Sequence, residues 1–157
     1  MILSELKDWP VARLLPHASP MIMIDRVVSV SEDYFEAEVV VRPDSLFCDG
    51  TAVNAWVGIE YMAQAVAAYA GAEAIAAGRP VKIGFLLGTR SYASRTPRFA
   101  VGTVLRIGVK KVLHEPGSLS VVECSLRDAG ETEPFVVSNL TVYEVDDLPA
   151  YLAEQAQ

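Results

Sequence analysis

The clearest alternation of apolar and polar positions runs from Tyr34 to Arg42. Phe35, Ala37, Val39 and Val41 share one side, and Glu36 and Glu38 take the other. A two-residue period of this kind predicts a strand with one buried face. Met21 to Ser31 reads as a strand before it, and Ser31-Glu32-Asp33 suits a tight hairpin turn between the two. Residues 43–54 read as a loop, with Asn54 placed to cap a helix. The next segment, Ala55 to about Ala77, is apolar on almost every face, and Gly78 and Pro80 stop it. A helix of that kind must be enclosed. Strand-like runs follow near 81–93, 100–114, 119–128 and 135–145, and in the third Val122, Cys124 and Leu126 alternate with Glu123, Ser125 and Arg127. Glu115-Pro116-Gly117-Ser118 and Ala129-Gly130-Glu131 supply turns. Residues 2–9 read as a short helix or irregular arm closed by Pro10, and the tail from Asp146 as a short surface helix.

Two strands, one long enclosed helix and about four more strands predict an α+β domain whose antiparallel sheet packs against the helix. A single curved sheet wrapped around one apolar helix is the hotdog arrangement. Such a sheet leaves an open edge and much apolar surface, so the domain is expected to be dimeric. An apolar share of 52% fits surface hidden at a subunit interface. No repeat, low-complexity tract or linker breaks the chain, and residues 1–157 are expected to form one hotdog domain.

Composition then excludes several classes. The apolar stretch from Ala52 to Ala77 is interrupted by Glu60, Gln64 and Glu73. A carboxylate at the centre of a membrane span costs roughly 2.5 kcal/mol or more, so a buried helix is the better reading. Met1 to Asp8 lacks the basic start and apolar run of a signal peptide, and a cytoplasmic location is expected. Cys48 and Cys124 stand far apart without CxxC spacing, which argues against a disulfide framework and a zinc site. No metal-ligand cluster appears, no cofactor is expected, and Gly84-Phe85-Leu86-Leu87-Gly88 reads as strand bends rather than a phosphate loop. The net charge of −7 disfavours nucleic acid. Its distribution is uneven, however: from Ala74 to His114 there is no acidic residue, and eight of the thirteen Lys and Arg fall there. Residues on several strands are expected to gather into one basic face, with Arg90, Arg95, Arg98, Lys110 and Lys111 as candidates for docking an anionic partner. A carrier protein, or the phosphate of a pantetheine arm, fits that description.

Glu60 carries the strongest chemical signal. It is the ionisable group in the first half of the enclosed helix, within Trp56-Val57-Gly58-Ile59-Glu60-Tyr61-Met62-Ala63-Gln64. A carboxylate there loses hydration and needs hydrogen bonds or a proton. Gln64, one turn further on the same face, can hold one of its oxygens. The helix start offers free backbone N–H groups, at Ala55 and Trp56, for a developing oxyanion. His17 lies in a loop bracketed by Pro16 and Pro20, where its ring can be aimed as a general base. His114 is placed at a strand end beside a turn, where surface histidines are common. Cys48 has no base nearby in sequence and reads as a small buried residue.

These residues resemble a family. Leu14-Leu15-Pro16-His17, Pro20 and Ile24-Asp25-Arg26-Val27 look like the opening of the bacterial β-hydroxyacyl–acyl carrier protein dehydratases. Ile59-Glu60-Tyr61-Met62-Ala63-Gln64-Ala65 looks like the start of their central helix, and the stretch from Phe135 to Tyr143 is similar to their last strand. Pro16-His17 with Pro20-Met21, and the run from Trp56 to Gln64, most resemble the aryl polyene branch of that family. The likeness covers roughly residues 12–145. It implies a lyase that dehydrates a β-hydroxyacyl thioester on an acyl carrier protein to the trans-2-enoyl thioester, in fatty-acid-like or aryl polyene biosynthesis. It also implies a site at a dimer interface, so that His17 and Glu60 would come from different subunits, and a partner that is a second copy or another hotdog protein. One position departs: the main family sets its general base fourteen residues before the helix acid, where this chain has Leu46. His17 is then the expected base and Glu60 the acid, protonated for that role by an apolar setting. Two other readings stay open, a hotdog acyl thioesterase and an inactive acyl-binding partner of a heteromeric dehydratase.

Overall fold

In a computed structural model, which describes residues 1–114, 119–145 and 148–157, the apolar segment forms helix α1, Gly58–Ala76, entered through a 3₁₀ turn at Ala55–Val57. The expected cap at Asn54 is not made: its backbone is extended before the turn, but its side chain bonds nothing there. Against the helix lies a six-stranded antiparallel sheet of β1 (Arg26–Val30), β2 (Tyr34–Val40), β4 (Gly84–Thr89), β6 (Val104–His114), β7 (Leu119–Asp128) and β8 (Val136–Glu144). Their order across the sheet is β1-β2-β6-β7-β8-β4. A short ribbon of β3 (Ala52–Asn54) and β5 (Arg98–Ala100) closes the helix start; three-residue strands carry too little pattern to be read in advance. The N-terminal arm is a 3₁₀ helix at Leu3–Asp8 with Leu6 buried, and the tail forms α2, Leu148–Gln155. The turn expected at Glu115–Ser118 lies outside the described residues. Among the described residues no helix is long and apolar enough to cross a membrane.

The core sits between the sheet's inner face and α1. Phe35, Leu105, Ile107, Cys124, Leu126 and Leu140 from the strands meet Tyr61, Met62, Ala65, Ala68 and Tyr69 from the helix, all at 2% exposure or less. Strand alternation delivers the first set and the helical repeat the second. Phe35 and Tyr69 stack at 5.4 Å, and the Tyr69 hydroxyl bonds the carbonyls of Ser31 and Glu32, tying the helix to the first hairpin.

Glu36 and Glu38 do face away from this core, yet each is only 8% exposed. Arg106 Nη1 bonds Glu36 at 3.1 Å, Arg106 Nε lies 2.9 Å from Glu38, Arg26 reaches Glu38 at 3.0 Å and Arg127 reaches Glu36 at 3.3 Å. The Tyr34 hydroxyl donates to Glu36 at 2.9 Å. Burial pushes the Glu36 carboxyl up, but the bonds from Tyr34, Arg106 and Arg127 together outweigh it and hold it below its ordinary range. At the far side of the sheet β4 is an edge, with a register shift between Leu86 and Gly88 and with Leu87 60% exposed. The bend expected of the Gly84-to-Gly88 run is therefore present.

Candidate active site

Helix α1 is not enclosed on every side. Its flank of Glu60, Ala63, Ala67, Ala70 and Glu73 borders a cavity of about 240 Å³ whose other wall is Leu86, Leu113, Val122 and Val142 of the sheet. From Glu60 to Glu73 the helix rises about 20 Å, at about 1.5 Å per residue. His17 borders the same cavity. The structure thus brings the two residues singled out as base and acid to one hollow, and both belong to one chain.

The helix that carries Glu60 also fixes the loop that carries His17. Before the histidine, the Leu14 carbonyl packs on Gly71 so closely that a Cβ there would lie 1.9 Å from its oxygen. After it, Gln64, fully buried, donates from Nε2 to the Met21 carbonyl at 2.7 Å and accepts the Met23 N–H at 2.8 Å. The same Nε2 donates to Glu60 Oε1 at 3.0 Å. Gln64 is therefore the link between acid and loop, satisfying a buried amide and aiming a carboxylate in one stroke. His17 Nδ1 is buried with no hydrogen-bond partner among the described residues.

Two expectations need correction. Ala55 does not offer a free donor, because its N–H bonds the Pro97 carbonyl at 3.0 Å across the small ribbon. The Trp56 N–H, one residue on, has no partner among the described residues, being too early in the turn for an intrahelical bond. Nor do the five candidate docking residues form one face. Lys110 and Lys111 are adjacent on β6 and so point to opposite sides of the sheet. Lys110 is exposed, whereas Lys111 borders the cavity, pairs with the Glu73 carboxylate and lies 4.9 Å from the Tyr69 ring. Arg95 is spent on the Pro134 carbonyl and the Phe135 ring, and Arg98 on Asp49; Arg90 stays exposed at the end of β4. Acids distant in sequence fold back onto the basic segment, and sequence blocks do not reveal that.

A second, shallower groove lies over the helix start, bordered by Met21, Met23, Phe47, Trp56, Val57, Ile59 and again Glu60. Phe47 holds a left-handed backbone, φ 64°, and its exposed ring meets Trp56 at 5.9 Å. Leu46 is half-buried and borders neither hollow. Cys48 is half-buried rather than buried, and Cys124 is fully buried with its thiol pushed up to about 12 by desolvation, which removes it as a nucleophile. Among the described residues no cluster of His, Cys, Asp and Glu is arranged to hold a metal. Sequence reasoning missed Gly71 and Tyr92, whose hydroxyl donates to the Ala55 carbonyl at 2.5 Å. Neither stands in a recognisable motif, and only the packing identifies them.

The sequence matches the ApeP-like family, described as ApeP dehydratase, over residues 9–153. No curated protein matches it significantly. The dehydratase heterocomplex ApeI:P of Xenorhabdus doucetiae superposes with a TM-score of 0.85 at 27% identity, covering 94% of this chain and 98% of that one. Zebra fish thioesterase superfamily member 2 gives a TM-score of 0.62 at 10% identity over 92% of this chain and 99% of that chain. A thioesterase of Haemophilus influenzae gives 0.57 at 15% over 78% and 79%. The last two likenesses bear on the fold alone, and it is the hotdog fold.

Proposed function

The chain belongs to the ApeP-like family of dehydratases, and from that premise we propose that it eliminates water from a β-hydroxyacyl thioester held on an acyl carrier protein. The observation that carries the reading is that His17 and Glu60 border one cavity while Gln64 joins Glu60 to the loop of His17. His17 takes the C2 proton, made acidic by the neighbouring thioester carbonyl. The electron pair moves through an enolate-like oxygen, stabilised by the Trp56 N–H, into the new C2–C3 double bond. The C3–O bond breaks, and Glu60 gives its proton to the departing hydroxide, so water leaves with the trans-2-enoyl thioester. Proton exchange between His17, Glu60 and solvent restores the starting state.

The test is turnover of a β-hydroxyacyl–carrier-protein substrate, with the enoyl product followed by mass. His17→Ala and Glu60→Gln should each abolish product while the variants stay folded. A parent protein that releases free thiol instead is a thioesterase and sinks the proposal. A second reading is favoured by the ApeI:P heterocomplex of Xenorhabdus doucetiae: this chain works beside another hotdog protein, docked along the exposed β4 edge. Activity that appears only on mixing with such a partner, and is insensitive to His17→Ala, would select it.

A further inference from the structure

The loop from Arg90 to Pro97 grips Ala55 by both of its backbone polar groups. The Pro97 carbonyl accepts the Ala55 N–H at 3.0 Å, and the Tyr92 hydroxyl donates to the Ala55 carbonyl at 2.5 Å. The approach is possible because residue 58 is glycine: a Cβ there would lie 2.1 Å from the Tyr92 oxygen. The loop itself is anchored, since Arg95 bonds the Phe135 carbonyl through its N–H at 3.0 Å and the Pro134 carbonyl through Nε at 2.9 Å. Burial pushes the Tyr92 hydroxyl up to about 12, so it remains a donor through the neutral range.

The Ala55 carbonyl and the Trp56 N–H belong to one planar trans peptide and point in opposite directions. The Ala55 carbonyl also accepts the Gly58 N–H of the turn, so the Tyr92 hydroxyl adds a second bond to it, and a hydrogen bond accepted at one end of an amide strengthens donation at the other. Trp56 and Glu60 border the same groove. We propose that Tyr92 is a positioning residue that aims and polarises the Trp56 N–H as the oxyanion donor of the site. The inference rests on the dehydratase reading for its chemistry but not for its geometry.

The experiment compares the parent with Tyr92→Phe, which keeps the ring and deletes the hydroxyl. Losing an oxyanion donor outright costs about 10²–10³ in kcat, so loosening one should lower kcat about tenfold with KM unchanged. Tyr34→Phe, the same deletion on the outer face of the sheet, should keep parental turnover. The Trp56 amide resonance gives a readout without turnover: in Tyr92→Phe its proton should move upfield as polarisation is lost. If Tyr92→Phe matches the parent in kcat and in the Trp56 amide position, the inference is overturned and the dehydratase reading stands. If the parent never dehydrates but the amide moves as described, the positioning holds and the dehydratase reading falls.

Discussion

Replacing Gln64 with leucine tests whether one buried amide assembles the site. The substitution keeps the volume roughly constant but removes three bonds: to the Met21 carbonyl, from the Met23 N–H and to Glu60. Two backbone groups lose their partners beside a fully buried side chain. A net hydrogen bond is worth about 1 kcal/mol and an orphaned buried group costs about 1–3 kcal/mol, so a loss of about 2–4 kcal/mol is expected. A typical domain stability of about 5–15 kcal/mol leaves the variant folded. On the proposed mechanism catalysis should suffer more than stability, since a misplacement of about 1 Å can cost about a hundredfold, and both Glu60 and the loop of His17 are released. Urea unfolding and kcat measured in the same buffer separate the two effects. The reasoning is refuted if the variant loses less than about 1 kcal/mol, the worth of a single net bond, or if kcat in the folded protein is unchanged.

Gly71→Ala should destabilise by about 1–3 kcal/mol through overpacking against the Leu14 carbonyl, outweighing a gain of about 1 kcal/mol in helix propensity; thermal unfolding and kcat should both fall, and a more stable variant would show that the loop is not pinned there. Glu36→Gln should weaken the protein at neutral pH by about 1–2 kcal/mol, discounted for the partial exposure of its arginines. Because the folded carboxyl is held below its ordinary value of 4.5, its contribution is complete above that pH and is lost as pH falls through the folded value; acid unfolding of the variant should accordingly be less steep below about 4.5. Leu87→Asp, on the exposed β4 edge, should weaken association with a second hotdog chain, by burying a charge where an apolar side chain belongs; sedimentation at graded concentration reads the change, and an unchanged profile would place the interface elsewhere.

The two-residue alternation at Phe35–Val41 and Val122–Leu126, and the all-round apolar helix, were enough to read the sheet and what it wraps, because burial is enforced residue by residue along an element. Glu60 and Gln64 stood out as candidates because each is a polar group in an apolar helix, and His17 because two prolines bracket its loop. What stayed illegible depends on contacts between distant segments. Nothing along the chain says that Pro97 takes the Ala55 N–H, that Glu73 claims Lys111, or that Arg106 closes over Glu36 and Glu38. Each of these redirects a group whose local sequence suggests a free donor or a free cation.

One helix here answers two demands that ordinarily conflict. Its inner face must be apolar to hold the curved sheet, and Tyr61, Met62, Ala65, Ala68 and Tyr69 meet that demand. Its open flank carries the Glu60 carboxylate, which the proposed mechanism needs aimed, and a carboxylate is expensive beside such a core. Gln64 reconciles them: it is buried like a core residue, satisfied by backbone at Met21 and Met23, and has one N–H left for Glu60. The small residues Ala63, Ala67 and Ala70 then keep the flank beyond Glu60 low enough to leave a cavity rather than a filled seam. The loop of His17 is held by that same amide and by Gly71, so its placement relative to Glu60 follows from how that loop packs on α1. A base at position 17 rather than 46, as the proposed mechanism requires, would then need no new scaffold, only a loop already fastened to the helix that bears Glu60.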